Sequence, residues 1–158
     1  MAEDLNIQTG TKQEQYESLI PQIEGLLHGE NNLVANLANI SAALKEQFNW
    51  WWVGFYWVIE DELVLGPFQG PVACTRIKKG RGVCGGAWEQ AKTLIVEDVE
   101  KFPGHIACSS ASKSEIVVPV FNKGVIVGVL DVDSEHLAHY DEIDQLYLEK
   151  IVGLIPHH

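Results

Sequence analysis

The chain has 158 residues, 46% of them hydrophobic and 21% charged, a globular composition that excludes a disordered chain and suffices for one hydrophobic core. Its formal charge of −11, from 11 basic and 22 acidic residues, argues against general nucleic-acid binding, which needs Lys and Arg against phosphates. No apolar run reaches the roughly 20 residues of a membrane span, and Met1 to Thr11 lacks the basic and apolar regions of a secretory signal, so a cytoplasmic chain with no membrane partner is expected.

Two helices are expected first. Lys12 to Leu27 carries Tyr16, Leu19, Ile20, Ile23, Leu26 and Leu27 on one face, with an interruption near Pro21 and Gly29 as its end. Asn31 or Asn32 then caps a second helix with Leu33, Leu37, Ile40, Ala43 and Leu44 at helical spacing. From Trp50 the residues become aromatic and β-branched. Strands are expected at Trp50 to Ile59, Leu63 to Phe68 and Val72 to Ile77, the last containing Cys74.

Gly80-Arg81-Gly82-Val83-Cys84-Gly85-Gly86 follows. It lacks the Gly-Lys-Ser/Thr ending of a phosphate loop and the spacing of a dinucleotide fingerprint, so it reads as a flexible turn carrying a mobile cysteine before a short helix at Ala87 to Gln90. Thr93 to Val96 reads as a further strand, and 97–114 as a long irregular segment, a feature that in compact domains usually serves function. Glu115 to Phe121 and Val125 to Val132 form a hairpin. Asp141 to Leu154 closes as an amphipathic helix, with Ile143, Leu146, Tyr147, Ile151 and Leu154 inward.

This order predicts a single α+β domain over residues 1–158: an antiparallel sheet of about six strands, with the N- and C-terminal helices on one face and the cysteine segments on the other.

Three cysteines in a chain without a secretory signal do not read as a structural disulfide framework. Buried, inert thiols are the bland alternative. Cys108 lies in the long loop among small and hydroxyl residues, which leave the sulfur approachable and favour the reactive thiolate. Glu115 follows seven positions later, and Asp131 and Asp133 share one face of the next strand by the period of two. Crowded carboxylates raise one another's pKa, which makes a proton donor available near neutrality. A zinc site from the three cysteines and His105 is weak, because no Cys-x-x-Cys pair exists.

Trp52-Val53-Gly54-Phe55-Tyr56, Leu65-Gly66-Pro67-Phe68-Gln69-Gly70, Gly80-Arg81-Gly82-Val83-Cys84-Gly85, Gly104-His105-Ile106-Ala107-Cys108, Ser114-Glu115-Ile116-Val117 and Gly128-Val129-Leu130-Asp131-Val132-Asp133-Ser134 together resemble the motifs of the free methionine-(R)-sulfoxide reductases. The resemblance runs from about Ala35 to Leu154 with every motif in order. It implies a GAF domain and puts the catalytic cysteine on Cys108, the recycling cysteines on Cys74 and Cys84, and the pocket carboxylates on Glu115, Asp131 and Asp133. Trp52, with Tyr56 beside it, would shelter the substrate's methyl group.

The chemistry so implied is attack by the Cys108 thiolate on the sulfoxide sulfur while Glu115 or Asp133 protonates the oxygen, with Asp131 on the substrate ammonium and backbone N–H groups near Cys108 on its carboxylate. Cys74 or Cys84 then forms a disulfide, which the resemblance implies thioredoxin reduces. No metal, flavin or nucleotide is required, and a homodimer is implied. The rival expectation is a non-enzymatic GAF ligand-binding or redox sensor, for which the chain's length leaves no output domain and which gives no reason for three cysteines beside three carboxylates.

Overall fold

The computed structural model describes residues 4–105 and 108–157. Its first helix, α1 (Lys12–Leu27), opens with a reciprocal capping box between Thr11 and Glu14. The helix runs unbroken through Pro21, contrary to the interruption expected there. Tyr16, Leu19, Ile23 and Leu27 bury one face along its whole length, and that packing outweighs the lost hydrogen bond of one proline. Helix α2 (Leu33–Phe48) starts at Asn32, whose side chain accepts from the Ala35 N–H, and stops at Asn49 in the left-handed conformation.

Strands β1 (Trp52–Ile59), β2 (Glu62–Gln69), β3 (Arg76–Lys78), β4 (Leu94–Val96), β5 (Ser114–Asn122) and β6 (Val125–Ser134) form one sheet in the order β3-β2-β1-β6-β5-β4, and every pairing is antiparallel. Helix α3 (Gly82–Gln90) lies between β3 and β4, and α4 (Glu142–Val152) follows β6. The third strand is shorter than expected: Cys74 precedes it, in a segment tied elsewhere by its sulfur.

The sheet separates two cores. On one face α1, α2 and α4 pack Tyr16, Leu19, Ile40, Leu44 and Leu148 against Val53, Phe55, Val118 and Leu130. On the other, Trp52, Tyr56, Val117 and Val129 meet Val83, Cys84 and Ala87 of α3. This second core positions the site. Leu146 of α4 is exposed, against expectation, and Leu148 takes the inward position.

α1 and α4 are tied by Asp144, which is 1% exposed. It accepts from the Lys12 ammonium at 2.6 Å and the Tyr16 hydroxyl at 2.5 Å.

The glycine-rich segment is a helix and not a flexible turn. Gly82 begins α3 at a φ of 61°, a conformation that L side chains resist, and Cys84 is 4% exposed. Gly85 lets the helix touch the preceding turn: a Cβ there would fall 2.4 Å from the Lys78 carbonyl oxygen and 3.1 Å from the Gly80 nitrogen. Gly85→Ala should therefore destabilise the fold by about 1–3 kcal/mol, the usual cost of overpacking. A urea midpoint equal to that of the parent would contradict this packing.

Candidate active site

β6 is central, and its register creates the cluster. Asp133 lies between Trp52 of β1 and Glu115 of β5, while Asp131 lies between Gly54 and Val117. The period of two sends both aspartates into the second core, with Glu115 directly across the ladder from Asp133. Glu115 is 7% exposed and Asp131 6%.

Such crowding makes ionisation costly. Burial, then the charge of Asp133, pushes the Glu115 carboxyl up to about 8. Burial followed by repulsion from Glu115 raises Asp131 well above the carboxylate range, and burial with repulsion from Asp131 does the same to Asp133. A Glu115 carboxyl so shifted retains its proton at neutral pH, the property required of a general acid, and both aspartates are shifted in the same direction. Ser112 Oγ donates to Asp133 Oδ1 at 3.4 Å, whereas Asp131 Oδ1 is buried with no hydrogen-bond partner among the described residues.

The three sulfurs meet this cluster unequally. Cys74 and Cys108 form a disulfide with Cα atoms 5.6 Å apart. Cys108 is exposed and Cys74 half-buried, so the bond sits where a second protein can approach. Cys84 remains a buried thiol on α3, and its Sγ donates to Glu115 Oε2 at 3.9 Å. Burial, followed by the charge of Asp131, raises its pKa well above the usual thiol value. Of the two cysteines that sequence left open as partners of Cys108, the structure pairs Cys74.

Trp52 and Tyr56 form the apolar wall. Trp52 stacks on Phe68 with ring centroids 5.1 Å apart, and its Nε1 donates to the Pro71 carbonyl at 3.0 Å. Tyr56 OH donates to the Cys74 carbonyl at 2.8 Å, anchoring the segment that carries one half of the disulfide. Gly70, at a φ of 143°, lets this segment cross the wall, because a Cβ there would meet Trp52 Cδ1 at 2.6 Å. The same tryptophan run places Trp50 in the opposite core, since Trp50 precedes the strand and escapes its alternation.

One cavity brings together every residue singled out in the sequence: Trp52, Tyr56, Cys84, Cys108, Glu115, Asp131 and Asp133 line it, and Cys74 is bonded to Cys108 at its rim. Of the backbone N–H groups near Cys108 expected to hold a carboxylate, those of 106–107 lie outside the described residues.

Sequence reasoning missed three features. Arg81, the N-cap residue of α3, lines the cavity and offers a cation opposite the acids. Ser112 supports Asp133. Ser114 and Ser134, a cross-strand pair adjoining Glu115 and Asp133, bind the following segment: Ser114 Oγ donates to the His136 carbonyl at 2.6 Å, and Ser134 Oγ lies 2.5 Å from His139 Nδ1. Arg81 was legible as a cation three residues before Cys84, but the serines carry no pattern that marks them before the register is known.

The GAF-domain family model matches residues 34–155, so the fold and the helix-backed sheet define a GAF-domain protein. The chain is 71% identical to GAF domain-containing protein A of Dictyostelium discoideum, covering 98% of this chain and 99% of that one. It is 46% identical to the free methionine-R-sulfoxide reductase of Escherichia coli, covering 90% and 87%. A crystal structure of free methionine-R-sulfoxide reductase from Neisseria meningitidis in complex with its substrate superposes with a TM-score of 0.95 at 55% identity, covering 98% of this chain and 93% of that chain. The chain belongs to the free methionine-R-sulfoxide reductase family of GAF domains.

The raised Glu115 has a consequence for stability. Its carboxyl binds a proton up to about 8 in the folded chain, against 4.5 as the ordinary value. Between those limits the folded state holds more protons than the unfolded state, so this group makes stability fall as pH rises. Glu115→Gln should flatten that fall across pH 5–8, measured as melting temperature against pH. An unchanged slope would mean that Glu115 titrates normally.

Proposed function

We propose that the chain reduces free methionine (R)-sulfoxide to methionine with its own thiols. The observation that carries this reading is the meeting of three carboxyl groups of raised pKa with a cysteine pair joined as a disulfide at one cavity. A sulfoxide sulfur is electrophilic once its oxygen is protonated, so acid and thiol must face the same small volume.

In this reading Trp52 and Tyr56 cover the methyl end of the substrate. Asp131, whose Oδ1 has no hydrogen-bond partner among the described residues, receives the ammonium, and Arg81 faces the carboxylate. The Cys108 thiolate attacks sulfur while Glu115 or Asp133 protonates the oxygen. The sulfur–oxygen bond breaks, methionine leaves, and Cys108 carries the oxygen as a sulfenic acid. The Cys74 thiol displaces that oxygen as water, forming the disulfide. Two electrons from an external dithiol restore both thiols. Thioredoxin is the proposed donor, and the exposure of Cys108 supports its access.

A homodimer and a cytoplasmic location complete the proposal. Among the described residues no helix is long and apolar enough to cross a membrane. A GAF sensor without chemistry would share the fold, but it does not account for a disulfide beside buried acids.

The decisive assay follows NADPH consumption with thioredoxin and its reductase on the separate (R)- and (S)-sulfoxides of free methionine. Consumption with the (R) form alone is expected, and none with either would overturn the reading. Cys108→Ser should release no methionine, while Cys74→Ser should release one equivalent and then stall. Glu115→Gln should slow single-turnover release, since a lost general acid costs on the order of 10²–10⁴-fold. Trp52→Ala should raise KM, because one apolar contact is worth about 1–3 kcal/mol. Full single-turnover activity in Cys108→Ser would reassign the nucleophile.

A further inference from the structure

The cavity floor contains a donor set that the reduction does not use as a unit. Cys84, Glu115 and Asp131 are all buried, and each offers one ligand atom within 4.8 Å of the other two. Cys84 Sγ and Glu115 Oε2 are already 3.9 Å apart. Tetrahedral zinc, with bonds of about 2.3 Å to sulfur and 2.0–2.2 Å to carboxylate oxygen, has donor–donor edges of roughly 3.3–3.6 Å. Small side-chain adjustments therefore close the set.

A second observation points to a ligand at this place: Asp131 Oδ1 is buried and has no hydrogen-bond partner among the described residues. An acceptor so placed is incomplete without a cation or a donor. The substrate ammonium supplies one answer. It leaves the sulfur of Cys84 unengaged, however, and that thiol is the one cysteine outside the disulfide.

We propose that Cys84, Glu115 and Asp131 form an inhibitory site for a thiophilic divalent cation, zinc in particular, which occupies the substrate pocket of the oxidised chain. Formation of the Cys74–Cys108 disulfide leaves this one thiol to anchor the ion. On binding, Cys84 and each carboxyl of Glu115 and Asp131 that still carries a proton release it to solvent, the thiolate and the two carboxylates supply one sulfur and two oxygens, and Asp133 or a water completes four ligands. The mixed sulfur and oxygen set favours zinc over magnesium or calcium, which take oxygen alone. The ion and the substrate ammonium both require Asp131, so they exclude one another. The inhibitory role rests on the reductase reading; binding of the ion does not.

The test is an absorption titration of the disulfide form with Co²⁺, followed by displacement with Zn²⁺. One equivalent should give a near-ultraviolet thiolate-to-cobalt band that zinc removes and millimolar magnesium leaves intact. Cys84→Ser should lose the band. Asp131→Asn should weaken binding at least about tenfold, since even residues that only support metal ligands cost 10–100-fold.

In the unaltered protein, two measurements avoid any folding defect of the variants. Zinc should protect Cys84 from alkylation, and free methionine (R)-sulfoxide should shift the cobalt midpoint upward. A missing band, or equal cobalt binding by Cys84→Ser through surface histidines, overturns the site. A midpoint indifferent to the sulfoxide overturns the competition. Loss of thioredoxin-dependent turnover with the cobalt band intact would instead sink the reductase reading alone.

Discussion

The pairing of Glu115 with Asp133 across β5 and β6 is the constraint from which the rest of the site follows. Two acids opposite one another in a buried ladder cannot both ionise without solvent or a counter-charge. The chain places Asp131 two residues away on the same face and so adds to the conflict. A fold built for stability alone would put apolar side chains at all three positions, as at Ile116, Val118 and Leu130 on the other face. The acids persist beside a pocket because their retained protons, and the open valence of Asp131, suit a polar ligand that enters from outside.

The surrounding elements hold this strained register in place. β6 is flanked on both sides, so neither aspartate can swing onto a free edge. Ser114 and Ser134 extend the same ladder by one pair and fasten the following segment through His136 and His139. The His139 carbonyl accepts from Lys12, which also binds Asp144. Hydrogen bonds therefore run from the capped start of α1 to the residue beside the acid pair.

Much of this was legible before any coordinates. Hydrophobic period identified α1, α2 and α4, and the alternation along β6 placed Asp131 and Asp133 on one face. Failures came where tertiary packing overrides local preference. Pro21 reads as an interruption because proline lacks a donor, yet a continuous buried stripe carries the helix through it without a break. Four glycines in 80–86 read as flexibility, yet Gly82 and Gly85 provide the left-handed start and close approach that a tightly docked helix needs. Cys84 consequently changes from a mobile thiol to a buried one. Ser112, Ser114 and Ser134 were silent because a serine's role depends on which oxygen the register brings near.

The burial difference among the cysteines completes the argument. A thiol that exchanges with a partner protein must be reachable, and Cys108 is so while still lining the cavity that holds the acids. Cys84 meets the same acids from the interior. Cys108 and Cys74 occupy the rim, on the described flank of the long loop and on the segment crossing Trp52, where covalent exchange needs only modest movement. Cys84 sits on a helix pinned to the sheet, in contact with Glu115 and buried at the inner wall of the cavity. Its high pKa disfavours nucleophilic work in the resting chain. Oxidation at the rim thus leaves the interior acid cluster unaltered in composition, with one protonated sulfur still at its centre.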